Sequence, residues 1–123
     1  MRKQYFFRPS DRGLLAWDVD RLIELSSPLP RHAVPLDSIR ELDEPWHGDD
    51  EPPTWRAMLE HIRLIDAADL SYPIILSSDG SVMDGMHRVM KAAWHHHGTI
   101  EAVRFVRDPE PDHVGRGPAD LPY

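Results

Sequence analysis

The chain has 123 residues, with 21 Asp and Glu against 14 Lys and Arg and a formal charge of −7, so its surface repels a phosphate backbone and stable DNA binding is disfavoured. The absence of cysteine excludes disulfides, thiolate catalysis and cysteine-held metals, and fits a reducing cytoplasm. No charged-then-apolar leader opens the sequence and no apolar run approaches the roughly 18 residues of a membrane span; 41% hydrophobic content beside 12 Pro predicts one domain-sized core with much irregular chain around it.

Tyr5-Phe6-Phe7, bounded by Pro9-Ser10-Asp11, predicts an edge strand that anchors in the core. Asp18 or Asp20 can cap a helix in which Val19, Leu22 and Ile23, with Ser26, share one face, and Pro28 and Pro30 end it. Residues 1–30 thus read as a strand-helix extension packed on a core formed by residues 31–107, with a lid or a partner surface as the functional alternative. Val34-Pro35-Leu36 predicts a brief strand, and Ser38 to Glu44 a turn or short helix before the loop Pro45 to Pro53. Glu41, Asp43, Glu44 and Asp49 crowd this stretch. Such a run is either a solvated acidic loop or a set of carboxylates able to hold Mg²⁺ or act as a general base near a phosphate.

Thr54 is an N-cap for a helix in which Trp55, Met58, Leu59, Ile62 and Ile65 recur on one face, predicting that this stripe is buried while His61 and Arg63 face solvent. Tyr72 to Leu76 is a β-branched apolar run closed by Ser77-Ser78-Asp79-Gly80, and Val82-Met83 resumes it as the second arm of a hairpin. Asp84 then stands where an N-cap belongs, Gly85 can take a tight bend, and Met86, Val89, Met90, Ala93 and Trp94 follow at helical spacing. Gly98 is placed to stop the helix, and Ile100 to Val106 gives a further strand.

The order strand, Asp-Gly turn, short strand, Asp84-Gly85-Met86-His87-Arg88, helix, Gly, strand resembles the core of the ParB/sulfiredoxin-like superfamily, which includes ParB amino-terminal domains, sulfiredoxins and free-serine kinases. The resemblance covers about Arg31 to Arg107. It implies a compact α/β (α+β) domain, a small mixed sheet packed with helices, that binds a nucleotide (ATP, ADP or CTP), with or without Mg²⁺. Two family activities are excluded. A sulfiredoxin needs a Cys where this chain has Met86, and a ParB protein carries a helical DNA-reading domain for which residues 108–123 leave no room. In the free-serine kinases a Glu downstream of the first strand is the catalytic base; Glu41 is the nearest positional match, and Asp43 and Glu44 compete for the role.

Residue chemistry alone points to the same junction. A strand that turns sharply into a helix aims the first helical N–H groups, and the positive end of the dipole, at one point outside the sheet. Gly85 would admit a phosphate close to the backbone, Arg88 offers a forked donor, His87 a pH-dependent one, and Lys91 adds charge. The alternative is that Asp84 is only a cap, Gly85 only a turn and Arg88 only an ion-pair partner. His95-His96-His97 is no metal site, because successive helical residues point about 100° apart; it reads as a helix C-terminal turn. Residues 108–123, rich in Pro, Gly and acids, are expected to be disordered or draped on the surface. The resulting expectation is a phosphate- or nucleotide-binding domain that transfers a phosphoryl group to a small molecule, or else a ligand-sensing or protein-interaction module using the same site.

Overall fold

The computed structural model describes residues 3–45 and 54–123; Asp49 and the rest of the loop 46–53 lie outside them. The described residues form an α+β fold of three helices and two sheets. Strands β1 (Tyr5–Ser10) and β2 (Gly13–Asp18) make a hairpin that leads into helix α1 (Val19–Ser26). Strand β3 (His32–Pro35) is followed by two 3₁₀ turns, Leu36–Ser38 and Arg40–Asp43. Helix α2 (Trp55–Ala67) precedes the hairpin β4 (Ile74–Leu76) and β5 (Val82–Asp84), then helix α3 (Met86–Trp94), strand β6 (Thr99–Arg104) and the short β7 (His113–Val114).

The central sheet runs β3-β6-β4-β5, with β4 and β6 parallel and the other pairs antiparallel. A parallel pair needs a crossover, and β5 with α3 supplies it. Side chains alternate across the sheet at a period of two. Ile74, Leu76, Val82, Ile100 and Ala102 therefore meet Val89 and Ala92 of α3, while Ile75, Met83, Val103 and Phe105 meet Leu15, Trp17 and Leu22 of the N-terminal segment. Both faces are covered. Each fully buried Leu or Val in these layers contributes about 1.5 to 3 kcal/mol. Within the unit from Ile74 to Phe105, Ile74, Ile75, Leu76, Val82, Val89, Val103 and Phe105 are buried, while on the apolar face of α3 Met86, Met90 and Ala93 are half-buried and Trp94 is exposed.

Strand β2 carries no alternating pattern that would announce it. Leu15, Ala16 and Trp17 are all buried, so both faces of β2 are covered, and a strand covered on both faces does not alternate. The tail is draped rather than loose: β7 pairs with β2, Trp17 Nε1 donates to Pro109 O at 2.8 Å, and Leu121 is buried.

Helix α2 departs most from expectation. Thr54 caps it as expected, accepting from Ala57 N at 3.0 Å, but only Ile65 of the apolar stripe is buried. Trp55 is 94% exposed, and Met58, Leu59 and Ile62 are exposed too. His61, expected in solvent, is half-buried with its ring edge-on to His87 at 4.9 Å. The helix meets α3 through His61, which lies off the stripe, so most of the stripe is turned away from α3. Arg63 is exposed, as expected. Among the described residues no helix is long and apolar enough to cross a membrane.

Candidate functional site

The junction between β5 and α3 is built by Gly85, not by the expected Asp84 cap. Gly85 is the N-cap, with φ +113° and ψ 20° in the left-handed region, and a Cβ there would lie 2.6 Å from Ile74 Cγ2. Only glycine fits both demands. The first intrahelical bond is Val89 N–H to Gly85 O at 3.0 Å, and no side chain caps the turn, so the N–H groups of Met86, His87 and Arg88 have no partner within the helix.

Asp84 reaches over the turn instead. Its Oδ2 accepts from Arg88 Nη2 at 2.9 Å, while Arg88 Nη1 donates to Pro73 O at 2.6 Å. Both side chains of the pair are mostly covered, 16% exposed for Arg88 and 18% for Asp84. The guanidinium fork is thus divided between a carboxylate and a carbonyl. Lys91 Nζ donates to Asp66 O at 2.7 Å and Ala68 O at 2.9 Å, neutralising the C-terminal carbonyls of α2. The cluster expected from His87, Arg88 and Lys91 is therefore dispersed into separate contacts. Burial, and then the neighbouring His61, hold His87 below the ordinary histidine pKa, against a smaller upward pull from Asp84.

At its other end α3 closes differently from expectation. Gly98 does not end it. His96 takes the left-handed conformation at φ 58°, His96 N–H bonds Ala93 O at 3.0 Å and His97 N–H bonds Ala92 O at 2.9 Å, the two bonds of a Schellman stop. The His triplet is the C-terminal turn, as expected.

All five residues Asp84, Gly85, Met86, His87 and Arg88 line one cleft of about 1160 Å³. Ile75, Met83 and Val103 of the central sheet reach its floor, one wall rises from Leu64 to Pro73, and the opposite wall comes from β1, α1 and the segment through Arg31. The N-terminal extension therefore supplies about a third of the cleft lining, which the isolated apolar stripe of its helix could not reveal.

The acidic stretch lies elsewhere. Glu41 Oε2 accepts from Val82 N–H at 2.7 Å, and its Oε1 is buried with no protein partner among the described residues. Arg40 beside it bonds Ser81 and approaches Asp79 at 3.5 Å. These contacts hold the turn end of the β4-β5 hairpin, where Leu76 faces Val82; Asp84 faces Ile75 further along, toward the junction. Asp43 and Glu44 are exposed, and none of Glu41, Asp43 and Glu44 lines the cleft. The carboxylates that do are Asp84 and Asp69, the latter held below its usual pKa by the Ser71 hydroxyl and amide. In the sequence nothing sets Asp69 apart, because Asp69-Leu70-Ser71 reads only as turn chemistry. Among the described residues no three His, Asp or Glu side chains come together in a way that could hold a metal ion.

No protein-family model, curated protein or solved structure matches this chain.

Proposed function

We propose that this protein binds a small phosphate-bearing ligand in the cleft, with the phosphate against the first turn of α3. The observation that carries the reading is that five consecutive residues, Asp84 to Arg88, line one cleft beside three helical amides that lack a helical partner. Such amides, at the positive end of the helix, are good anion donors. The resemblance of the junction to ParB/sulfiredoxin-like proteins names a nucleotide, ATP, ADP or CTP, as the first ligand class to try. Arg88 would exchange Asp84 for phosphate oxygens and keep its bond to Pro73 O. The cysteine-free composition suits a cytoplasmic protein.

Between binding and phosphoryl transfer, the positions of Glu41, Asp43 and Glu44 favour binding. A general base or Mg²⁺ ligand must reach the reacting group, and those three carboxylates line no part of the cleft. The protein then acts as a ligand-sensing module whose occupied cleft can be read by a partner. Isothermal titration with inorganic phosphate, ATP, ADP and CTP, each with and without Mg²⁺, tests the reading. Saturable binding that weakens in Arg88→Lys supports it, no binding of any phosphate compound defeats it, and nucleotide turnover would restore the phosphotransfer alternative.

A further inference from the structure

We infer that the ligand of this cleft is an anionic amphiphile: a phosphate head at the α3 turn carrying an apolar, largely aliphatic body that lies between the N-terminal extension and the core. The inference rests on the phosphate reading for the head and on independent observations for the body.

The first observation is unsatisfied apolar surface converging from three elements. Ile23 of α1 is 50% exposed, Leu64 of α2 is 48% exposed and Tyr72 before β4 is 63% exposed, yet all three line the same cleft. Single exposed apolar residues are ordinary, but several gathered round one concavity mark a binding site.

The second observation is the hydrogen-bond state of the polar groups around them. Ser26 Oγ donates to Ile23 O, Ser27 Oγ to Glu24 O and Arg31 Nη1 to Ser71 O, while Asp69 accepts from Ser71 N–H and its hydroxyl. Away from the junction several of the cleft's polar side chains are thus engaged within the chain, whereas among the described residues the Tyr72 hydroxyl has no partner. Gln4 is the one side-chain amide in the lining for which the described residues provide no bond. A site that reads a nucleobase edge needs several free donors and acceptors, because it discriminates by leaving them unpaired with the wrong ligand. Beside Gln4 and the Tyr72 hydroxyl, the cleft offers mainly exposed apolar surface at Ile23, Leu64 and Tyr72, together with the helical amides and Arg88.

The volume agrees. About 1160 Å³ is at or beyond the upper range of ordinary small-molecule sites, roughly 300 to 1,000 Å³, far more than a phosphate group alone would fill. A body that covers Ile23, Leu64 and Tyr72 would seal the seam between the two walls.

The test is a titration series of monomeric alkyl phosphates, from ethyl to octyl, against inorganic phosphate, the three nucleotides and the matching alcohols. Affinity should rise about three- to fourfold for each added methylene until the cleft is filled. Ile23→Gln and Leu64→Gln, at half-exposed helical positions that tolerate polar side chains, should flatten that dependence while inorganic phosphate binds as before; Arg88→Lys should weaken every alkyl phosphate by the same factor. A flat chain-length series, or nucleotides that outbind octyl phosphate, overturns the amphiphile and leaves the phosphate site. Alcohols that bind as tightly as their phosphates overturn the phosphate head instead. Co-sedimentation with phosphatidylcholine vesicles containing phosphatidic acid distinguishes the source of the ligand: the proposed monomeric ligand predicts no pelleting, and pelleting abolished by Ile23→Gln would overturn it in favour of a membrane lipid.

Discussion

Arg88 and Asp84 stand one helical turn apart and close on each other at 2.9 Å, with the same guanidinium bonded to Pro73 O. The pair staples the junction, and in the proposed reading Asp84 holds the place a phosphate would take. Arg88→Ala should leave the mostly covered Asp84 without its cation and lower stability by about 1 to 3 kcal/mol, and should weaken phosphate binding about tenfold or more. Asp84→Asn separates the two roles. It removes the competitor for Arg88, so phosphate affinity should increase severalfold although the melting temperature falls. Unchanged phosphate affinity in both variants, each with a lowered melting temperature, would make the pair purely structural.

Gly85 and Gly80 form a controlled comparison. Both hold positive φ, +113° and +90°, but a Cβ on Gly80 meets nothing within 4 Å while one on Gly85 strikes Ile74. Gly80→Ala should cost about 1 to 2 kcal/mol from the backbone alone, and Gly85→Ala about 2 to 4 kcal/mol because overpacking is added. Equal losses in chemical denaturation would mean that the strand-helix bend relaxes away from Ile74.

If a phosphate binds in the cleft, His87 should make stability and binding respond to pH in opposite senses. Its folded pKa is depressed by burial and by His61, so the unfolded chain takes up the proton first, near pH 6.5. Between that pH and the lower folded value the unfolded state holds more protons, and stability falls as pH falls. His87→Gln should flatten this acid limb in urea melts at pH 5, 6 and 7. A phosphate in the cleft favours the charged ring, so its binding should take up a proton and strengthen from pH 7 to pH 6. Equal slopes for wild type and variant would remove His87 from both effects.

Legibility tracks the kind of signal each stretch carries. The unit from Ile74 to Arg104 is readable because its period-two and helical patterns agree with its turn residues, and the same agreement locates the junction. The expected Asp84 cap fails because a carboxylate four residues before an arginine on a helical turn has a stronger partner than an amide. Strand β2 escapes a reading by pattern because Leu14 to Trp17 is continuously apolar. The cleft's second wall depends on how α1 docks, which local pattern does not encode.

For α2 the contrast between periodicity and position gives a direct measurement. A stripe at helical spacing normally marks core, where Trp→Ala costs about 3 to 5 kcal/mol. Trp55 is almost wholly exposed, so Trp55→Ala should change stability by no more than about 0.5 kcal/mol, whereas Ile65→Ala should cost about 2 kcal/mol or more. A large loss at Trp55 in denaturant melts would show that the stripe is covered in solution.

Glu41 holds the N–H of Val82 at 2.7 Å. Glu41→Ala should therefore destabilise the hairpin by about 1 to 3 kcal/mol and leave phosphate affinity where it was. Lost binding in a variant that still melts cooperatively would return Glu41 to the site.

The tail strand sets the order in which the molecule can be completed. Asp18 N–H bonds the carboxylate of Asp112, 94 residues further along, and β2 has no second neighbour until His113–Val114 arrives. During synthesis the first hairpin emerges early but must wait, with one edge of its middle strand open, for nearly the whole remaining chain. Closing so long a loop is slow, and an open edge is the surface on which nascent chains pair with one another. A nascent chain held by a chaperone over this interval would be protected at β2, the strand that later supports one wall of the cleft.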